Sequence, residues 1–156
     1  MKVTIRTAEK KECEDVLEVL NKATLDLLKK GINQWSYPWD QESIKQQLDD
    51  AFVMILGNTI VGTFFISLRN TISDLELEKG SYYLHKIAVH PFHQGKDLGS
   101  EILRFVYAYV KKQQKSVYLA CWAGNEKLKQ FYLNNGLMYV GDFPEEDYFI
   151  SVFKFV

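Results

Sequence analysis

The stretch whose reading decides the fold is Leu84-His85-Lys86-Ile87-Ala88-Val89-His90-Pro91-Phe92-His93-Gln94-Gly95-Lys96-Asp97-Leu98-Gly99. It joins an apolar strand, a turn stopped by proline, a glycine-bearing loop and a helix start in one continuous unit. The first N–H groups of a helix have no intrahelical partners and the dipole adds partial positive charge there, so such a turn can seat a pyrophosphate without an arginine clamp. Glycine removes Cβ where backbone and anion approach, and it tolerates positive φ. On these residues alone the stretch reads either as an anion site or as an ordinary strand-to-helix connection. Lys96 is not followed by Ser or Thr, which excludes a Walker-type phosphate loop, and the glycine spacing is not that of a dinucleotide-binding turn.

Outward from this unit, apolar residues Leu98, Ile102, Leu103, Val106, Tyr107 and Val110 recur at helical spacing, and Lys111, Lys112 and Lys115 complement the carboxyl end of the dipole. Residues 116–122 read as a strand. Asn125 can cap a helix whose buried edge is Leu128, Phe131 and Tyr132, with Asn135-Gly136 as its stop, and apolar runs at 137–140 and 148–156 follow. Toward the N-terminus, residues 82–89 form a strand and residues 69–80 a polar loop. Runs at 51–56 and 59–68 flank Gly57-Asn58 as a hairpin. Residues 41–48 read as a short polar helix, preceded by an aromatic loop holding Trp35, Tyr37, Pro38, Trp39 and Asp40. A longer helix begins at the acidic cluster Glu9, Glu12, Glu14 and Asp15. It carries Val16, Leu17, Leu20, Ala23, Leu27 and Leu28 on one face, is mildly interrupted by Thr24, and stops at Lys29-Lys30-Gly31. Residues 3–6 alternate as a strand. The resulting order is β-α-α-β-β-β-α-β-α-β-β without internal repeat, which predicts one α/β domain over residues 1–156 around a mixed, mostly antiparallel sheet flanked by helices.

Gln94-Gly95-Lys96-Asp97-Leu98-Gly99 resembles motif A of the GNAT superfamily of N-acetyltransferases, which reads Gln/Arg-x-x-Gly-x-Gly/Ala after a strand ending in a Val-x-Pro-like turn. Gln94 and Gly99 match. Asp97 stands where the family usually has glycine, and its carboxylate is expected to sit near a bound pyrophosphate. Residues 117–122, Asn125, Phe131-Tyr132 and Gly136-Leu137 are similar to the family's following strand and helix, and the element order fits over essentially the whole chain. The resemblance implies a GNAT-like fold, acetyl-CoA as acyl donor, and transfer of acetyl to a primary amine of a small molecule or peptide by direct attack. It assigns the pantetheine and carbonyl contacts to the backbone of Ile87, Ala88 and Val89, and the pyrophosphate to N–H groups of Gln94, Gly95, Lys96, Asp97, Leu98, Gly99 and Ser100. It also places Asn125 along the pantetheine arm and Tyr132 beside the thioester sulfur.

Amine acetylation needs a neutral amine, a polarised carbonyl and a proton for the departing thiolate. Tyr132 is the candidate acid, because a phenol with a reference pKa of about 10 is protonated at neutral pH; the other reading is packing against Leu128 at i, i+4. His85 is the candidate base, with a structural strand histidine as the alternative. Glu76 and Glu78 could serve directly or through water, or be merely solvated. Trp35, Trp39 and Glu76 are candidate acceptor contacts, Trp122 a wall or a core residue, and Cys121 a core thiol. His90 and His93 belong to the turn.

The chain has 156 residues, 19 Lys+Arg against 20 Asp+Glu, a formal net charge of -1 and two cysteines. This balance leaves no footprint for nucleic acid or an anionic membrane, and the cysteine count excludes a disulfide scaffold. Met1 to Arg6 lacks the apolar core of a signal peptide, and no run of about 18 apolar residues occurs, so a cytoplasmic address, no metal and no membrane partner are expected. A homodimer through the last strands is a further expectation. A non-catalytic acyl-CoA-binding sensor or interaction module is the alternative function. Residues 31–48 and 69–80 are the segments left to choose an acceptor.

Overall fold

The structure, a computed structural model, describes residues 2–32 and 35–155. The expected aromatic segment 31–37 and the last strand, expected to reach 156, include positions 33, 34 and 156, which lie outside the described residues. The fold is mixed α/β, with a mostly antiparallel sheet flanked by helices in the predicted order. Two compact units build it. One holds the residues up to Ile66 together with Lys86–Phe105, and the other holds Ser67–His85 together with the chain from Val106 onward.

In the first unit, β1 (Val3–Thr7) pairs antiparallel with β2 (Ala51–Leu56), and β2 pairs antiparallel with β3 (Thr59–Leu68). Leu56 faces Thr59 across the two-residue turn Gly57-Asn58, whose tightness requires the positive φ of +65° at Gly57. Helix α1 (Cys13–Lys29) lays Val16, Val19, Leu20 and Ala23 against Ile44 of helix α2 (Gln41–Gln47) and against Val53 and Phe65 of the strands. Asp40 caps α2 by accepting a hydrogen bond from the Ser43 N–H at 3.1 Å. Thr24, an interruption of the apolar face by sequence, is buried and bonds back to the Leu20 carbonyl at 2.7 Å.

Glu12 was expected simply to favour the helix dipole. It is instead the partner of Arg6, meeting both guanidinium nitrogens at 2.9 and 2.7 Å, and it accepts the Glu9 N–H at 2.8 Å. These bonds hold its carboxyl down at about 2, the Arg6 bond contributing most. A depressed carboxylate stabilises above its unfolded pKa of about 4.3 and ceases to do so as pH falls toward the folded value. Arg6 is 39% exposed, so solvent screens the pair. Glu12→Gln is expected to cost about 1–2 kcal/mol at neutral pH. Urea titrations at pH 7 and pH 3 check this: the difference between variant and parent should shrink at the lower pH.

In the second unit the beginning of β6 (Tyr82–Val89) runs parallel to β7 (Val117–Trp122), with Tyr82 facing Val117 and Leu84 facing Leu119. Strand β9 (Tyr148–Lys154) pairs antiparallel with β7 and with β8 (Met138–Glu145). The segment expected to be a plain loop carries a small hairpin, β4 (Thr71–Ile72) with β5 (Leu75–Glu76). The cause is apolar: Ile72 is buried with Tyr118 and Val152, and Leu75 and Leu77 pack on the same cluster. Helix α4 (Glu126–Asn134) starts at Asn125, whose side chain accepts the Leu128 N–H at 3.1 Å, and stops before Gly136, which takes the positive φ of +86° that ends the turn.

Candidate active site

The quoted stretch takes its shape from backbone conformation. The second half of β6 leads through the turn Pro91–His93 into helix α3 (Leu98–Gln113). Between turn and helix, Gly95 and Asp97 have φ of +83° and +62°. The first bond into α3 runs from the Glu101 N–H to the Asp97 carbonyl at 3.2 Å, so the N–H groups of Leu98, Gly99 and Ser100 lie ahead of the intrahelical ladder. Leu98 and Ser100 are buried and fix the helix start, while Gly95, Lys96 and Asp97 are exposed. Left-handed residues next to right-handed ones turn successive amides toward one side, a concavity that suits a diphosphate. A side chain built at Gly95 would meet nothing within 4 Å, so its glycine is there for φ rather than for space.

Two details narrow the expected set. The Gln94 N–H, expected to face the pyrophosphate, is already engaged, donating to the Pro91 carbonyl at 3.3 Å. The Gln94 side chain donates to the Val89 carbonyl at 3.2 Å and so ties the strand end to the loop.

Asp97 takes a different meaning from the one its charge implied. At φ +62° it holds the left-handed conformation that glycine adopts freely and that aspartate tolerates better than most residues. Its carboxylate meets Arg104 at 3.5 Å, and Arg104 also meets Glu101 at 2.6 Å, so the negative charge is partly offset one turn into the helix. Asp97→Gly is expected to keep the fold and tighten coenzyme A binding by about twofold to fivefold, since only a screened surface charge is lost. Asp97→Ala, forced into the same φ, is expected to lose about 1 kcal/mol of stability. Calorimetric binding and thermal unfolding of both variants read the two effects separately.

Upstream, Lys86 has φ +53° in the middle of β6, so Ile87, Ala88 and Val89 follow a local irregularity in the strand. Ala88 is buried, and a Cβ built at Gly62 of β3 would lie 3.2 Å from the Ala88 carbonyl oxygen. Gly62 therefore owes its identity to close packing beneath this segment.

In the second unit Tyr132 is 4% exposed and packs against Phe131 and Phe153, with ring centroids 5.8 and 5.4 Å away. Burial pushes its phenol above the usual value, so it keeps its proton across the neutral range. Asn125 is buried as well as capping α4. His85 stacks on Tyr83 at 5.0 Å, and its Nε2 lies 3.0 Å from the Ser67 hydroxyl. Glu76 is exposed on β5. Glu78 is a structural group: it bonds Lys154 at 2.7 Å and accepts from the Tyr118 hydroxyl, and these partners hold its carboxyl down at about 2, too low for a useful base at neutral pH. Cys121 is buried in β7, and burial pushes its thiol up to about 12, so it is core and not a nucleophile.

Trp35 and Trp39 meet edge to face at 5.6 Å and pack on the core of the first unit. Trp39 is anchored at both ends. Its N–H donates to Asn21 Oδ1 at 2.8 Å and its indole Nε1 donates to Thr24 Oγ1 at 2.9 Å. Sequence reasoning did not single out Lys86, whose Nζ donates to Gln47 Oε1 at 2.8 Å and stands 5.2 Å from the Phe65 ring centroid and 6.0 Å from that of Trp39. A charged residue inside the apolar run 82–89 was the available signal. Among the described residues no group of three or more His, Cys, Asp and Glu side chains is placed to hold a metal ion, and no helix is long and apolar enough to cross a membrane.

Comparison with known proteins bears on what this strand, loop and helix serve. No curated protein matches the chain. Among solved structures it resembles a GNAT family acetyltransferase from Streptococcus agalactiae at 17% identity, with 99% of this chain and 95% of that chain covered and a TM-score of 0.84. The PaiA N-acetyltransferase from Thermoplasma acidophilum in complex with coenzyme A is similar at 15% identity, 99% and 100% coverage and a TM-score of 0.75. The ribosomal-protein-S18-alanine N-acetyltransferase from Escherichia coli is similar at 14% identity, 99% and 93% coverage and a TM-score of 0.73. Identities this low speak for the fold, but the model of the acetyltransferase (GNAT) family matches residues 5–137, which takes in the end of β1, the whole β6-to-α3 turn and Tyr132. The chain thus belongs to the acetyltransferase (GNAT) family.

Proposed function

We propose that this chain is an N-acetyltransferase that moves the acetyl group of acetyl-CoA to a primary amine of a small molecule or peptide by direct attack. The observation that carries the reading is the start of α3: two positive-φ residues precede it, and the helical ladder begins only at Glu101, which leaves amides for a diphosphate. Acetyl-CoA, the acyl donor, supplies an activated thioester when bound. The N–H groups of residues 95–100 hold its diphosphate, and the backbone of Ile87, Ala88 and Val89 orients the pantetheine arm and the carbonyl. Asn125 adds a polar contact along that arm. Tyr132 holds the proton that the departing thiolate needs, and its burial keeps that proton in place. His85, oriented by Ser67, receives the proton from the attacking ammonium. Attack by the amine itself is favoured because the buried thiol of Cys121 offers no acyl-enzyme route.

The test is release of free thiol from acetyl-CoA in the presence of a panel of amino acids, polyamines, aminoglycosides and peptides. Amine-dependent release with at least one class supports the reading. Coenzyme binding without release across the panel would establish a non-catalytic acyl-CoA sensor instead.

A further inference from the structure

The last turns of α3 end beside a cleft of about 460 Å³, a size within the range of small-ligand sites. Tyr107, Val110, Lys111, Gln114, Lys115 and Phe155 line it, and all of them belong to the second unit. The lining is divided by chemistry. Val110 and the rings of Tyr107 and Phe155 supply an apolar side, while two ammonium groups and one amide supply a polar one. Neither Lys111 nor Lys115 has a carboxylate partner among the described residues.

Two observations set this cleft apart from a solvated helix face. The first is Gln114. Its N–H donates to the Lys111 carbonyl at 3.2 Å and the Lys115 N–H donates to the Val110 carbonyl at 3.5 Å, the paired bonds of a helix stop that glycine ordinarily makes. Gln114 takes the left-handed position of that stop, at φ +55°, where glycine would sit without strain. A non-glycine residue held in such a conformation points to a use for its side chain, and here that side chain lines the cleft. The same bonds engage two carbonyl oxygens at the helix end that would otherwise face an anion. The second observation is that both ammonium groups are placed. Lys111 Nζ stands 5.4 Å from the centroid of the Tyr107 ring, and Lys115 Nζ lies so near Gly80 that a Cβ there would be 2.8 Å from it. The helix dipole favours cations at this end but sets no such positions.

We propose that this cleft binds a nucleoside monophosphate, through residues other than those that hold the coenzyme. The flat base lies against Tyr107, Val110 and Phe155, and the phosphate takes the Lys111 and Lys115 ammonium groups and the Gln114 amide. Two ammonium groups without acid partners match the nearly double charge of a phosphate monoester better than the single charge of a carboxylate. Such binding does not require that any amine be acetylated.

The experiment is calorimetric titration of the full chain with AMP after saturation with coenzyme A, so that the coenzyme's own nucleotide site is already filled. AMP is expected to bind with a Kd below about 1 mM, and adenosine at least about tenfold more weakly, the size of one charge-assisted bond. Lys111→Gln and Lys115→Gln should each weaken AMP binding by about threefold to tenfold and together abolish it, with the thermal midpoint and coenzyme A affinity unchanged. Gln114→Gly is the more telling variant. It should hold or raise the thermal midpoint, because glycine suits the helix stop, and still weaken AMP binding, a combination that a purely structural glutamine would not give. Absence of binding at millimolar AMP overturns the proposal, as does adenosine or inorganic phosphate binding as tightly as AMP. AMP binding that is lost in the presence of coenzyme A and indifferent to the lysine substitutions would place the nucleotide in the coenzyme's own site, and overturns it too.

Discussion

Tyr132→Phe is expected to lower kcat by about 10²–10⁴-fold, the usual contribution of a positioned general acid, while coenzyme A binding changes little. The substitution suits the question because it removes one oxygen and preserves the ring that packs on Phe131 and Phe153. At 4% exposure a larger truncation would open a cavity and confuse lost chemistry with lost stability. Burial raises the phenol above its usual value, so the parent's rate should show no loss of the acid limb anywhere in the neutral range. Stopped-flow thiol release at saturating acceptor, alongside calorimetric titration with coenzyme A, separates the two effects. A kcat within twofold of the parent's would remove Tyr132 from the mechanism and leave it as packing against Leu128. Cys121→Ala serves as the internal comparison: with its thiol pushed up to about 12, it should lose stability and retain turnover per folded molecule.

What the sequence made legible, and what it did not, divides along a physical line. Periodic burial is written in residue order, which is why the β2–β3 hairpin, α4, the start of α3 and the end of α1 were readable within a residue or two, and why Asn125 and Gly136 could be placed at the ends of α4, whereas α1 begins at Cys13, after the Glu9 at which the acidic cluster placed its first turn. Contacts between distant segments leave no such period. Nothing in the neighbourhood of Glu12 announces that Arg6 is its partner, and nothing around Thr24 announces that it accepts the indole N–H of Trp39. Single-residue backbone states are equally silent for residues other than glycine. Asp97 is legible both as a charge and as a residue that tolerates unusual backbone angles, but only the fold gives its φ of +62°, in a place glycine would hold with less strain. Lys86 shares that property. The hairpin at residues 71–76 was hidden by the polar residues that separate Ile72, Leu75 and Leu77, and Glu78 looked like a solvated loop carboxylate because Tyr118 and Lys154 lie 40 and 76 positions away.

Gly62→Val is expected to produce the largest change in stability and, with it, a change in coenzyme binding. Gly62 is buried in β3 and a Cβ there would lie 2.8 Å from Met54 Cε and 3.2 Å from the Ala88 carbonyl oxygen. Those two neighbours respond differently. The end of the Met54 side chain can rotate aside, although Met54 is itself fully buried and must displace something to do so. The Ala88 carbonyl is backbone and can retreat only by moving the strand that is proposed to orient the pantetheine arm. Overpacking of this kind costs about 1–3 kcal/mol for one added methyl, and valine adds two more carbons in the same space. For a chain of this length the thermal midpoint should fall by about 5 °C or more for valine, with alanine intermediate. Met54→Val combined with Gly62→Ala divides the cost: removing the Met54 methyl should recover part of the stability, while coenzyme A affinity should stay about tenfold weaker because the pressure on Ala88 persists. If the double variant recovers stability and affinity together, the Ala88 segment is not what positions the coenzyme, and the glycine is required only by the packing of β2 on β3.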